Sequence, residues 1–555
     1  MMLTPLTDTT MRRKVFPTAG ALLGALLAVF LLANSAVAQS PALLPAQVVQ
    51  VDGLLRRGQQ LEMERRWGEA LTHYEEAVRQ FPEERGLKRR FEFTRLHYDL
   101  GRRYSDPSYS EVLSRLSVED ALALYTEVLL KVQAHYVETP NWKELVERGT
   151  NGLEVALAEP IFLERHAPDA EGPALDRFRG ELRRVLGPVV VQSRSDAREA
   201  VALAAGMAQQ RLGVPANAVV LEYTCGATNA LDPYSAYLTP DQLNDVYSQI
   251  EGNFVGLGIE LKADEGTLLI VRVISGSPAL RGGIRAGDRI QAIDGQSIRD
   301  FSTEKAANLL QGEVGSVAEL TLLTPGQEPR QVSIRRERID VPSIDEAQLL
   351  DRNQGVGYLK LTCFQKTTCR DLDTALWSLH RAGMRSLIMD LRGNPGGLLI
   401  TAVEVADKFL EQGIIVSTHG RSRQEDFTYS AHQAGTWRVP LVVIVDQDSA
   451  SAAEIFAGAI RDHRRGTIVG KRSYGKGSVQ GIFPLNLAQS GVRLTTAKFY
   501  SPSGHPYSRV GVQPDITVHE AARPIDGTAG SLPASGDDPM LAAALQAAQQ
   551  LVAQR

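Results

Sequence analysis

A serine and a lysine in separate loops of this 555-residue sequence could do covalent chemistry together. Ser451 lies between an apolar run, residues 440–445, and a helical pattern that begins at Ala452. The free N–H groups and the dipole at the start of a helix favour developing negative charge, which suits a nucleophilic serine. Serine is also a preferred N-cap residue, and from this segment alone the capping role is the favoured interpretation.

Lys476 is the candidate base, because a nucleophilic serine needs a group that takes its proton. His463 is at the far end of the predicted helix, roughly 18 Å from Ser451 along its axis, and is out of reach. Lys476 stands between two glycines, and burial could lower its pKa toward neutrality, as a general base requires. Gln480 could hold the neutral amine without adding charge if the backbone bends near Gly477. A phosphate-binding loop is the alternative, although the spacing G-x-x-x-x-G-K-[ST] is absent.

Acyl transfer also needs N–H donors for the negatively charged oxygen that forms on the substrate. A second strand–loop–helix unit could supply one: a strand at residues 386–391, the loop Arg392-Gly-Asn-Pro-Gly-Gly397, and a helix from Leu398 to Leu410. The N–H of Ala452, next to the serine, is the natural second donor. Taken alone, the loop fits equally well as a tight turn that binds no ligand.

Five motifs stand in a specific order along the chain: Leu231-Asp-Pro-Tyr-Ser-Ala-Tyr-Leu-Thr-Pro240, Asp390-Leu-Arg-Gly-Asn-Pro-Gly-Gly397, Ser449-Ala-Ser-Ala-Ala-Glu454, Gly475-Lys-Gly-Ser-Val-Gln480 and Gly511-Val-Gln-Pro-Asp515. As a set they resemble the carboxy-terminal-processing (tail-specific) serine peptidases. The resemblance implies that Ser451 is the nucleophile, Lys476 the general base and Gln480 the residue that orients the lysine. It also implies an oxyanion hole formed by the N–H groups of Gly397 and Ala452.

Glu454 also matches a position of that family. The interpretation preferred from the sequence is structural, because an acidic residue in the first turn of a helix is favoured by the helix dipole.

Residues 254–338 contain short β-rich runs with Gly and Asp turns between them. By the same resemblance, this region is similar to a PDZ domain. Gly256-Leu257-Gly258-Ile259 resembles its carboxylate-binding loop, which implies that these N–H groups capture a terminal carboxylate while the next strand pairs with the peptide. Relatives often have an arginine before a glycine in a later turn. Here Gln311 precedes Gly312, so the sequence does not predict gating by such an arginine.

The remaining regions are helical or alternate between strands and helices. Gly58, Ala70, Tyr74, Ala77 and Pro82 have a spacing that resembles one tetratricopeptide unit, with a plain helical hairpin as the alternative. Strands and helices alternate from about residue 355 to 520, which indicates an α/β domain.

The predicted fold class is therefore multidomain α/β. Its predicted parts are a signal peptide (1–38), a tetratricopeptide-like helical segment (39–105), a helical N-terminal region of the peptidase (106–250), a PDZ domain (251–340), a ClpP/crotonase-like α/β serine peptidase domain (341–522), and a linker with a C-terminal helix (523–555).

The first forty residues have the layout of an export signal. A basic start, Arg12 to Lys14, precedes the apolar run 21–33 and the small residues Ala36-Val37-Ala38. The sequence thus predicts export to the periplasm or cell envelope, with cleavage after Ala38. An uncleaved membrane anchor is the alternative, although the apolar run is short for one.

The cysteine content indicates no disulfide scaffold, since the sequence has 3 cysteines. Cys363 and Cys369 could pair in an exported protein, leaving Cys225 free, and three buried thiols are an equally good interpretation.

The resemblance and the export signal together imply an exported serine endopeptidase that recognises protein C-terminal tails through a PDZ domain. The balance of 43% hydrophobic and 23% charged residues excludes a mostly disordered or multi-span membrane protein, and the net charge of −5 gives no reason to expect nucleic-acid binding. No metal or nucleotide cofactor is implied. A protein partner at the N-terminal helical segment is expected, and membrane association only if the signal segment stays uncleaved. A catalytically silent scaffold is the first alternative, and a crotonase-like acyl-CoA enzyme the second.

Overall fold

The computed structural model describes residues 45–264, 267–274, 276–298, 309–432, 435–519 and 538–554. The predicted signal peptide and most of the predicted linker lie outside these residues. The chain divides into two compact units, Met1–Arg102 and Arg103–Arg555. Among the helices that the structure describes, none is long and apolar enough to cross a membrane.

The described part of the first unit is helical: α1 (Pro45–Met63), α2 (Trp67–Gln80) and most of α3 (Arg85–Ser105). α1 and α2 cross closely at Gly58, where an added Cβ would collide with the ring of Tyr74. Tyr74 and Ala70 are fully buried at this crossing. Both a tetratricopeptide unit and a plain hairpin contain such a crossing, so the tetratricopeptide interpretation stays a prediction.

The helical region that follows is built around one buried helix, α10, whose residues are buried from Ala218 to Thr228. An added Cβ on Gly226 of α10 would lie 2.7 Å from the Cα of Gly149 in α6, so two facing glycines let these helices touch. The helices of the region are α4 (Pro107–Arg115), α5 (Val118–His135), α6 (Trp142–Ala156), α7 (Pro160–His166), α8 (Gly172–Leu186), α9 (Arg194–Leu212), α10 (Ala216–Asn229) and α11 (Pro240–Glu251).

A small β domain follows. Its sheet has the order β3-β4-β5-β7-β8, with β6 beside β5, and β3 is at the edge. β2 and β9 form a separate antiparallel ribbon that connects this domain to the rest of the chain. The elements are β2 (Asn253–Gly256), β3 (Ile259–Asp264), β4 (Thr267–Val273), α12 (Pro278–Arg281), β5 (Arg289–Ile293), β6 (Gln296–Ser297), β7 (Val317–Leu323), β8 (Arg330–Arg335) and β9 (Glu337–Asp340).

The α/β domain has a six-stranded sheet of order β10-β11-β12-β15-β16-β19, with β11 to β19 parallel. β12 and β15 are buried along their whole length because helices cover both faces, which explains their continuous apolar runs. The elements are β10 (Ile344–Asp351), β11 (Val356–Leu361), α13 (Thr368–Arg381), β12 (Ser386–Asp390), α14 (Leu399–Asp407), β13 (Ile414–Gly420), β14 (Phe427–Ser430), β15 (Leu441–Val445), α15 (Ala452–Asp462), β16 (Gly466–Gly470), β17 (Ser478–Pro484), β18 (Gly491–Tyr500), β19 (Ile516–Thr517) and α16 (Pro539–Ala553).

A second sheet joins the helical region to this domain. Its order is β1-β18-β13-β14, with β17 also paired to β18, and β1 (Ala236–Leu238) comes from the segment just before α11. β18 is therefore paired both with β17, the strand that leads away from the candidate lysine, and with a strand from the region predicted as 106–250.

The last helix, α16, packs on the face of the large sheet opposite α15. Its apolar residues, such as Met540 and Ala544, cluster with Ile388 and Ile444. Asp538 caps the helix and also pairs with Arg392, 2.7 Å from the guanidinium Nη1. All three cysteines are free thiols, so the pairing of Cys363 with Cys369 is not formed.

Candidate active site

Ser451 stands at a strained turn between β15 and α15. Its φ of 57° is unusual for a residue with a side chain. The N–H of Glu454 donates to the Ser451 carbonyl oxygen at 2.9 Å, and Ser451 and Glu454 form a capping box at the start of α15. The capping role favoured from the local sequence and the nucleophilic role both stay predictions.

The glycine loop lies directly against this turn. Gly396 has a φ of 101°, and an added Cβ would lie 2.8 Å from both the Ala452 nitrogen and the Ser451 Cβ. Gly397 has a φ of 141°, and an added Cβ would collide with the Phe364 carbonyl oxygen. Both positions therefore require glycine, for conformation and for space. Within the described part of the chain, neither Gly397 N–H nor Ala452 N–H donates a backbone hydrogen bond.

Asn394 ties the glycine loop to its surroundings, a role that sequence patterns did not reveal. Its amide nitrogen donates to the Leu361 carbonyl oxygen at 2.8 Å, and its amide oxygen accepts the Gly396 N–H at 2.8 Å. Its backbone carbonyl accepts the Ala450 N–H at 2.9 Å, next to Ser451. The loop and the serine turn are thus hydrogen-bonded to each other.

Glu454 connects the serine turn to the lysine loop. Its carboxylate is fully buried and accepts the backbone N–H of Ser451 at 2.8 Å and of Lys476 at 2.9 Å. It also accepts the Gly475 N–H and the Ser473 hydroxyl, each at 2.6 Å. Burial raises the pKa of Glu454, while these hydrogen bonds oppose the rise. The dipole interpretation preferred from the sequence is therefore incomplete: this carboxylate holds two loops in register.

Lys476 is largely removed from water. Burial, the largest cause, lowers its pKa from 10.5 to about 8, and the positive charge of Arg493 lowers it further. The carboxylates of Glu454 and Asp232 oppose this effect. Its Nζ lies 5.0 Å from the centroid of the Tyr234 ring. A lysine with this pKa has a substantial neutral fraction near neutral pH, as a general base needs.

Gln480 lies in β17, close in sequence to Lys476, and its side chain binds a residue of the same strand. Its amide nitrogen donates to the carbonyl oxygen and hydroxyl of Ser478, at 3.1 and 2.8 Å. An orienting contact of Gln480 with the lysine amine stays a prediction.

The predicted carboxylate-binding loop precedes the edge strand β3. Gly258 has a φ of 82°, and an added Cβ would collide with Ser277. The Leu257 carbonyl accepts the Ala279 N–H at 3.0 Å, and the Gly258 carbonyl accepts the Ile274 N–H at 2.9 Å. These bonds fix the loop beside an edge of β3 that pairs with no other described strand, which is the arrangement that strand addition of a peptide requires. The roles of Gly256 to Ile259 in binding stay predictions.

Comparison with known proteins identifies the family. The model of Peptidase family S41 matches residues 355–518, and the PDZ domain model matches residues 246–324. A carboxy-terminal-processing protease from Bartonella bacilliformis is 38% identical over 302 residues, which are 53% of this chain and 68% of the relative. A carboxyl-terminal-processing protease from Synechocystis sp. is 35% identical over 295 residues, 52% of this chain and 68% of the relative. The chain belongs to the carboxy-terminal-processing proteases of family S41.

The S41 match includes Ser451, Lys476 and the glycine loop, and the protease is a serine-type enzyme that acts on peptide bonds. The PDZ match confirms the predicted PDZ domain, and the predicted multidomain α/β fold is also confirmed. The solved photosystem II D1 C-terminal processing protease aligns with 78% of this protease and 97% of its own chain, at 23% identity and a TM-score of 0.39.

Proposed function

We propose that this protease is exported, binds its substrates by their C-terminal tails through the PDZ domain, and cleaves them with Ser451 as nucleophile and Lys476 as general base. The observation that carries the proposal is the shared carboxylate of Glu454, which hydrogen-bonds the backbone of both residues. The lowered pKa of Lys476, about 8, supports its role as a base.

The proposed reaction starts with neutral Lys476. Its amine takes the proton of the Ser451 hydroxyl as Oγ forms a bond to the carbonyl carbon of the substrate. The oxygen that becomes negative accepts hydrogen bonds from the N–H groups of Gly397 and Ala452, which the described residues leave unused. The lysine ammonium then protonates the leaving nitrogen, and the C–N bond breaks. Water then attacks the resulting ester and gives its proton to the same amine. The ammonium protonates Oγ as the bond between the acyl carbon and Oγ breaks, which releases the new carboxyl end and restores the Ser451 hydroxyl and the neutral lysine.

Tail binding is proposed at Gly256 to Ile259. Backbone N–H groups there would hold the terminal carboxylate, and β3 would pair with the peptide as an added strand. Export, with cleavage after Ala38, is proposed from residues 12–38 of the sequence. A protein partner of the N-terminal helical segment is a further prediction without a structural observation to define it.

Cleavage of one unfolded reporter protein tests the catalytic part. Ser451→Ala and Lys476→Ala should each lose about 10³-fold or more in kcat/KM. Lys498→Ala is the matched control, because Lys498 is a half-exposed lysine that pairs with Glu138 on the surface. Cleavage by Ser451→Ala at the wild-type rate would refute the proposal.

Two further measurements test tail binding and export. A tail peptide with a free carboxylate should bind at least tenfold more tightly than the same peptide with a C-terminal amide, and equal binding would contradict capture of the carboxylate. N-terminal sequencing of the protein from the periplasmic fraction should begin at Gln39. Recovery of the protein with an intact N-terminus from the membrane fraction would favour the alternative, an uncleaved membrane anchor.

A further inference from the structure

The side chain that faces the candidate base comes from a distant part of the sequence. Tyr234 belongs to the segment just before β1, in the motif at residues 231–240, to which the chemistry above gives no role. Its ring centroid lies 5.0 Å from the Lys476 Nζ. The lysine is thus covered by a residue of the helical region and not only by its own domain.

Tyr234 is held firmly where it meets the lysine. The Asp232 carboxylate accepts the Tyr234 N–H at 2.7 Å, and the Arg493 Nε donates to the Tyr234 carbonyl oxygen at 2.8 Å. The Tyr234 side chain also interacts electrostatically with that of Tyr474, which is close to the lysine in sequence. The two backbone hydrogen bonds therefore fix the segment that carries the ring.

We propose that Tyr234 is a positioning residue for Lys476: its ring covers one side of the amine, excludes water from it and fixes where Nζ lies. This inference rests on the proposed function of Lys476 as the base.

Two effects of the ring oppose each other. The face of an aromatic ring attracts an ammonium group and so favours charged lysine. The same ring keeps water away and so favours neutral lysine. Burial is the largest cause of the lowered pKa of Lys476, which falls from 10.5 to about 8 despite the opposing charges of Glu454 and Asp232. The ring, 5.0 Å from Nζ, is part of the surroundings that bury the amine, so we expect its exclusion of water to be the larger of its two effects.

The test is the pH dependence of kcat/KM in the full-length protease. The acid limb of this profile, where activity falls as the pH is lowered, reports the pKa of the base in the free enzyme. Tyr234→Phe keeps the ring and should leave the acid limb unchanged. Tyr234→Leu keeps an apolar cover without the attraction, so its acid limb should move to lower pH. Tyr234→Ala admits water, so its acid limb should move up by one unit or more, which is a tenfold or larger loss of activity at pH 7.

The control variant is Leu238→Ala, which removes a buried side chain from the neighbouring strand β1. It should lower the melting temperature without moving the acid limb. An acid limb that stays in place in Tyr234→Ala, or moves equally in Leu238→Ala, would overturn the inference. If Tyr234→Ala does not fold, the inference is tested with Tyr234→Leu alone. An acid limb that is unchanged or shifted to higher pH in Tyr234→Leu would then overturn the inference. Full activity of Lys476→Ala would instead overturn the proposed function, so the two failures are distinguishable.

Discussion

Replacing Glu454 by glutamine would test whether one buried carboxylate aligns Ser451, the proposed nucleophile, with Lys476, its proposed base. Each carboxylate oxygen accepts two hydrogen bonds: one oxygen binds the N–H groups of Ser451 and Lys476, and the other binds the Gly475 N–H and the Ser473 hydroxyl. In Glu454→Gln an NH₂ group replaces one of these oxygens. Its better position faces Ser473, whose hydroxyl can turn to accept, and this leaves the Gly475 N–H without a partner.

The expected loss of stability follows from these contacts. A buried N–H without a partner costs about 1–3 kcal/mol, and the remaining bonds each lose about 1 kcal/mol when the acceptor is no longer charged. Removal of a buried charge offsets part of this loss, because burial already raises the pKa of Glu454. We expect Glu454→Gln to lower the free energy of unfolding by about 2–4 kcal/mol. A displacement of about 1 Å between the two loops would lower kcat/KM by about 10²-fold.

The assay combines denaturant unfolding, peptide cleavage, and the rate of labelling by a fluorophosphonate that reacts with an activated serine. Glu222→Gln is the matched control, because Glu222 is also a buried carboxylate, paired with Arg103 at 2.6 Å in the helical region. It should lower stability while the folded enzyme keeps its labelling rate. If Glu454→Gln labels and cleaves within threefold of wild type, the carboxylate does not align the two loops.

Three further perturbations have defined outcomes. The kcat/KM of the wild-type protease should fall about tenfold per pH unit below about 8, because protonated Lys476 cannot accept the serine proton; a flat profile down to pH 6 would contradict this. Gly397→Ala should lower kcat/KM by about 10²–10³-fold, because the new Cβ meets the Phe364 carbonyl and displaces the proposed oxyanion donor. The control Gly393→Ala has a φ of 68° but open space around it, and should keep most activity. Asp538→Asn keeps a good helix cap but loses the ion pair with Arg392. We expect the free energy of unfolding, measured with denaturant, to fall by about 1 kcal/mol and the cleavage rate to change little. An equal loss of stability in Asp538→Ala would show that the cap contributes nothing.

Local patterns predicted the elements around the serine well. The apolar run before Ser451 is the buried strand β15, and the helix predicted from Ala452 to Asp462 has those same ends. Both follow from side-chain periodicity within a few residues, which needs no knowledge of the rest of the fold. The glycine loop was predicted for a similar reason, since glycines at turns leave a local signal. The PDZ domain, in contrast, was predicted from the resemblance to a known family.

Contacts between distant segments could not be predicted in this way. Glu454 was assigned to the helix dipole because three of its four partners, Ser473, Gly475 and Lys476, come from another loop, which the local sequence does not specify. Tyr234 approaches Lys476 only because β1 pairs with β18. The pairing of β17 with β18 shifts in register between Val479 and Gln480, which the sequence did not indicate.

The ribbon of β2 and β9 has a consequence for how this protease is built. Asn253 and Asp340 are direct partners across the ribbon, so the chain leaves the peptidase fold and re-enters it about 5 Å away. The PDZ domain is therefore an insertion whose two ends fit one short turn. Such a module can be gained, exchanged or deleted as a cassette without opening the surrounding sheets, and tail selection can evolve independently of the catalytic machinery.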